Sequence, residues 1–106
     1  MWEERLALFD KIVAMAGFER KGKTMPYTSD NGHMFSLLNK AGEIGIRLSK
    51  EEGKAFQDSH GTGAFKSHGA NMRGYVLIPD QLLAQPEQVA ELLKAGHRFV
   101  MSLEPK

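Results

Sequence analysis

Asn31-Gly32 sits between two runs that read as strands, and it restricts the chain more than any other pair of residues. A two-residue hairpin turn needs positive φ at both positions, which asparagine and glycine tolerate and most residues do not. The flanking runs, Thr24 to Asp30 and His33 to Leu38, are therefore expected to pair as antiparallel strands. A second turn, Asn39-Lys40-Ala41-Gly42, leads into Glu43-Ile44-Gly45-Ile46-Arg47-Leu48, where apolar and small or polar residues alternate as in a half-buried strand. If Asp30 faces His33 and Leu38 faces Glu43, then Phe35, Leu37, Ile44, Ile46 and Leu48 share one face, the expected core. The opposite face then carries Tyr27, Met34, Ser36, Leu38, Gly45 and Arg47, a mixed set suited to partial exposure or to a partner.

Helices are expected on either side of this meander. Trp2, Leu6, Phe9, Ile12, Val13 and Ala16 recur at spacings of three and four, a stripe along one helical face that Gly17 is placed to stop. Ser49 and Glu52 have the Ser-x-x-Glu spacing of a capping box, predicting a short helix through Phe56 to about Ser59. His60 to Gly74 holds four glycines and little periodicity, and reads as a long loop around a short strand near Ala64 to Lys66. Tyr75 to Ile78 reads as a buried strand stopped by Pro79, and Pro79-Asp80 as the opening of a short helix through Leu83. Gln85-Pro86-Glu87 opens the last element, whose stripe is Val89, Leu92, Leu93, Phe99, Val100 and Leu103, with Gly96 as a point of bending or weakness. The sum is an α+β chain ordered as helix, three-strand meander, helix, one or two strands, and C-terminal helices.

Size and composition narrow the function classes. A chain of 106 residues with 42% hydrophobic and 25% charged residues is expected to form one domain, 1–106, with no repeat, low-complexity segment or linker. The absence of cysteine removes disulfides, thiolate metal sites and a cysteine nucleophile, and favours the cytoplasm. Met1-Trp2-Glu3-Glu4-Arg5 places acids where a signal peptide places bases, and no apolar run approaches the roughly 20 residues of a membrane span. A formal charge of +1 gives no whole-molecule pull toward polyanions, so direct nucleic-acid contact is not expected.

Several patterns invite chemistry and fail on context. Gly17-Phe18-Glu19-Arg20-Lys21-Gly22-Lys23-Thr24 satisfies the phosphate-loop pattern, but such a loop follows a strand and opens a helix, whereas this one follows a helix and runs toward a hairpin. Arg20, Lys21 and Lys23 read instead as a solvated entry to a strand. His33, His60, His68 and His97 have no recognised metal-ligand spacing, and Ser59-His60 and Ser67-His68 lack the strand-turn-helix elbow of a serine nucleophile. Met15, Met25, Met34, Met72 and Met101 read as flexible core or interface filler, and Trp2 and Phe9 as core of the first helix. No catalytic, cofactor or metal residue set is expected. The residues with functional credit lie on the expected open face and its rim: Lys23, Tyr27, Met34, Ser36, Arg47 and Arg73.

Lys23-Thr24-Met25-Pro26-Tyr27, Asn31-Gly32-His33-Met34-Phe35-Ser36-Leu37-Leu38 and Gly42-Glu43-Ile44-Gly45-Ile46-Arg47-Leu48 resemble the N-terminal domain of TfoX-type competence regulators, as does the segment from Met72 to Leu83. The resemblance implies a two-layer α/β sandwich with an antiparallel sheet, like that of secretion-chaperone-like folds. At the first strand the chain departs from the family's Met-Phe-Gly-Gly-like stretch, carrying Met25-Pro26-Tyr27-Thr28. The helical second half of full regulators has no counterpart in 106 residues, so the competence role is not carried over. The resemblance implies regulation or interaction without a catalytic set. The first expectation is thus a non-catalytic regulatory module that self-associates or docks a protein through its open sheet face or a sheet edge. The second is a small-molecule or anion-binding domain using Lys23, Arg47 and the segment from His60 to Gly74. An enzyme using His60 or His68 is the third.

Overall fold

A computed structural model describes residues 2–67 and 69–106. Over the described residues the chain is an α+β, two-layer sandwich: a five-stranded antiparallel sheet with four helices. In chain order these are α1 (Trp2–Met15), β1 (Tyr27–Asp30), β2 (His33–Leu38), β3 (Ile44–Arg47), α2 (Lys50–His60), β4 (Ala64–Ser67), β5 (Ala70–Leu77), α3 (Asp80–Leu83) and α4 (Pro86–Met101). The strands lie in the order β1-β2-β3-β5-β4. Among the described residues no helix is long and apolar enough to cross a membrane.

Local chemistry sets the element ends. Gly17, at φ +85, closes α1 with a left-handed residue, and the Gly17 and Phe18 N–H groups donate to the Ala14 and Val13 carbonyls, the paired bonds of a Schellman motif. The Ser49 hydroxyl accepts from the Glu52 N–H at 3.1 Å, and Gly61 at φ +62 ends α2. Asn31 and Gly32 both take positive φ, as a tight hairpin turn demands. Asn31 also works at a distance: its side-chain amide donates to the Val100 carbonyl at 2.8 Å and the Leu103 carbonyl at 2.9 Å, tying the hairpin turn to the end of α4. His33 and His97 bind the same corner, through the Glu104 carbonyl and the Asp30 carboxylate. The His97 contact first, and the Asn31 backbone N–H second, hold the Asp30 carboxyl below its ordinary value.

The β2 register differs from the expected one in two places, and together they change which residues are inside. Leu38 pairs with Ile44 rather than with Glu43, because the turn uses the Asn39–Glu43 backbone bond as its last rung. A bulge also makes Thr28 face Ser36 and Ser29 face Met34, leaving Phe35 as the extra residue. Ser36 and Leu38 therefore join Phe35, Ile44 and Ile46 beneath the helices, both fully buried, while Leu37 turns to the other face. The Ser36 hydroxyl is paired with that of Thr28 at 2.6 Å, which satisfies two polar groups inside the core. The expectation of Ser36 and Leu38 on an exposed face is thus corrected.

The second face is not open either. Ala64 pairs with Val76 but Lys66 pairs with Asn71, so Phe65 alone spans the four β5 residues Met72 to Tyr75. The surplus length lets the β4–β5 hairpin roll over the sheet. Strands lie about 4.8 Å apart, so in a flat sheet β4 would stand about 14 Å from β2; instead the Asn39 side-chain amide, just past β2, donates to the Lys66 carbonyl at 2.8 Å. The Phe65 ring lies on Gly45, where a Cβ would come within 2.4 Å of it, and Phe65 is fully buried with Leu37 and Tyr75 in a second small core. What reads in the sequence as a loop from His60 to Gly74 is thus mostly a hairpin.

α4 rests directly on the sheet at Gly96. A Cβ there would stand 2.6 Å from the Arg47 carbonyl oxygen and 3.1 Å from Ile46 Cγ2, so the glycine permits close approach, and α4 continues unbroken through it. Gly96→Ala is expected to lower the urea midpoint, because overpacking against backbone costs about 1–3 kcal/mol and exceeds the helix-propensity gain of about 1 kcal/mol. Gly53→Ala in α2, whose Cβ would meet Val76 Cγ1 at an ordinary 3.6 Å, is expected to raise it.

Candidate functional site

The rolled hairpin and the β2–β3 turn enclose a cleft of about 290 Å³ lined by Met25, Asn39, Lys40, Ala41, Glu43, Lys66, Ser67 and Gly69. Asn39 is its fixed point. Its side-chain oxygen accepts from the Glu43 N–H at 2.8 Å, and its amide donates to the Glu43 carboxylate at 3.0 Å and the Lys66 carbonyl. The turn and the hairpin are thereby held together by one side chain whose two amide hydrogens are both used.

Ser67 is the opposite case. It is only 6% exposed, and its hydroxyl has no hydrogen-bond partner among the described residues. A buried unpaired hydroxyl costs about 1–3 kcal/mol, and an occupant of the cleft would recover it only with a small shift of the wall, since the oxygen itself is fully covered. The cations are also uncommitted: Lys40 and Lys66 make no ion pair among the described residues, in contrast with Arg5, Arg20, Lys54 and Lys94. Against these two stands one acid, Glu43, whose carboxylate is already engaged by Asn39. Two further clefts adjoin at Lys40, one lined by Trp2, Lys23, Thr24 and Lys40, the other by Trp2, Glu4, Arg5, Lys40, Ala41 and Gly42. Together the three make a groove around the turn, with Lys40 in every wall.

The residues singled out from sequence are dispersed. Lys23 is exposed and lines this groove. Tyr27 and Met34 pack around the second core, half-buried beneath the rolled hairpin. Ser36 is in the main core. Arg47 is half-buried with its guanidinium 5.4 Å from the centre of the Phe99 ring, and Arg73 is exposed on β5. Lys23 is thus the one member of that set that reaches the groove. Trp2, Asn39, Lys40, Lys66 and Ser67 were not foreseen; Trp2 fits the apolar stripe of its helix, and the others adjoin in space only because the hairpin rolls.

The phosphate-loop pattern is spent on structure. Residues 17–24 leave a helix and bridge to β1 through Lys21 and Tyr27, while Arg20 makes two bonds to the Asp10 carboxylate and Lys21 Nζ reaches the Ser29 hydroxyl. The histidines are far apart in role: His60 stacks on Phe56 with its Nδ1 at the Phe56 carbonyl, His33 and His97 hold the C-terminal corner, and His68, with the Ser67-His68 pairing, lies outside the described residues.

Among the described residues Tyr75 is the strongly perturbed acid. It is 8% exposed, its hydroxyl donates to the Met34 carbonyl at 2.8 Å, and burial pushes its ionisation up to about 12, with the Arg47 charge acting weakly the other way. A phenol whose folded pKa lies above the unfolded value of about 10 contributes stability below pH 10 that is lost as pH rises toward 12. Unfolding by alkali is expected to steepen in that window. Tyr75→Phe is expected to cost about 1 kcal/mol at neutral pH through the lost hydrogen bond and to flatten the alkaline slope, read from denaturant melts across pH.

No family model, no curated protein and no solved structure matches the chain.

Proposed function

We propose that this chain is a non-catalytic binding module whose ligand is a small anion held in the groove at Lys40. The observation that carries the reading is the buried, unpartnered Ser67 hydroxyl beside two uncommitted lysines in a cleft already shaped by Asn39. Ligand sites commonly combine a preformed concavity with a few polar groups that fix orientation, and a site that holds an orphaned polar atom gains more from an occupant than one already satisfied. The resemblance to TfoX-type N-terminal domains supports a regulatory use of such binding. The lack of cysteine supports a cytoplasmic setting.

Docking of a protein on the sheet is less well supported. The helices cover one face and the β4–β5 hairpin rolls over the other. The two edge strands, β1 and β4, are each four residues long, β1 is partly paired through the Lys21–Tyr27 bridge and β4 displays Lys66, features that discourage strand addition.

The test is a thermal melt in inorganic phosphate against chloride at equal ionic strength. Phosphate is expected to raise Tm, since a ligand selective for the native state must stabilise it. Lys40→Ala and Lys66→Ala are expected to remove most of that shift and Lys50→Ala to leave it intact. Ser67→Ala is expected to stabilise the free protein by about 1 kcal/mol, by deleting an unpaired hydroxyl, while weakening phosphate binding. Equal melts in phosphate and chloride would contradict the reading.

A further inference from the structure

The groove has an aromatic wall as well as a basic one. Trp2 is the chain's single tryptophan, and it lines both of the further clefts that meet at Lys40. Its position is fixed by two contacts: the indole N–H donates to the Asn39 carbonyl at 3.1 Å, and part of the ring packs against the main core. The residue is only half-buried, so a remaining part of the ring borders the cleft of about 330 Å³ that it shares with Lys23, Thr24 and Lys40. Asn39 therefore positions the indole on one side and the Lys66 strand on the other, with Lys40 next in sequence between them. A fixed indole beside Lys23 and Lys40, neither of which makes an ion pair among the described residues, matches a ligand with a flat π-face and a negative charge, because ring stacking and charge attraction then act on different parts of one molecule.

We propose that the groove selects planar aromatic anions, the ring lying against Trp2 and the charged group reaching Lys40, the lysine that the Trp2 cleft shares with the one lined by Lys66 and Ser67. This rests on the reading of the groove as an anion site and adds the chemistry of the ligand's uncharged part. The acids nearby agree with the polarity of that arrangement. Glu4 lines the cleft on the Arg5 side and not the one shared with Lys23, and Arg5 is itself paired with Asp80 at 2.9 Å, so the cationic end is the one formed by Lys23 and Lys40.

Phenyl phosphate is the probe, with inorganic phosphate as its comparison, and Trp2 fluorescence reports both. Phenyl phosphate is expected to quench the emission saturably, to bind about tenfold more tightly than inorganic phosphate, and to be displaced by it. Trp2→Leu is expected to bring the two ligands to equal affinity, measured by calorimetry, with the phosphate value unchanged. Should that variant fail to fold, the wild type still decides: nuclear Overhauser effects are expected between the phenyl protons and the Trp2 ring. Equal affinities in the wild type, or phenyl protons with no contact to Trp2, would overturn the aromatic preference and leave the anion site standing. Absence of binding by either ligand would overturn both.

Discussion

The seating of the Phe65 ring on Gly45 is the contact from which the shape of the second half of the molecule follows. Any side chain at position 45 would occupy the space of the ring, so the absence of a Cβ on the central strand is what lets an edge strand fold back across its neighbours. Once it does, Leu37, Tyr75 and Phe65 leave water together, the Tyr75 hydroxyl reaches the Met34 carbonyl, and Lys66 arrives within hydrogen-bonding distance of Asn39. The groove at Lys40 is a product of that roll. In a flat sheet its two walls would be strands apart, and Ser67 would sit on an edge with water to satisfy its hydroxyl.

A second corner is organised on similar terms at the C-terminal end of α4. The turn that reverses β1 into β2 also supplies the side chain that caps α4, and His97 and Asp30 join the same two elements. The hairpin and the helix are thereby tied through Asn31, a residue whose left-handed backbone and amide side chain are both in use. This end is rigidly occupied, and its polar groups are matched to one another. The Lys40 end is held by Asn39 yet retains a hydroxyl and cations that have no partner among the described residues. That contrast between a satisfied end and an unsatisfied one separates a structural corner from a candidate site.

Much of the fold was legible because its signals are local. Periodicity in α1 and α4, the Asn31-Gly32 turn, the Ser49 cap and the Pro79 break each act within a few residues, and each element lies where those signals place it. The sheet faces were not legible, because a bulge at Phe35 and a one-residue shift at Glu43 are set by packing across strands, and each exchanges inside for outside. Gly96 shows the same limit. In sequence it is a weak helix former, whereas in the fold its missing side chain is what admits the Arg47 carbonyl. Of the candidate site, Lys23 was visible as an uncommitted cation near a strand; Lys40, Lys66 and Ser67 carry no shared motif and meet only through the roll.

The most direct measurement is a proton nuclear Overhauser spectrum of the free protein at the Gly45 α-protons. The account predicts strong contacts from these protons to the Phe65 ring and a marked upfield shift of both, as expected for protons beneath an aromatic face. Gly45 α-protons at ordinary positions, with no contact to Phe65, would contradict it: the second face would then lie open, and the groove at Lys40 would lose the wall that defines it.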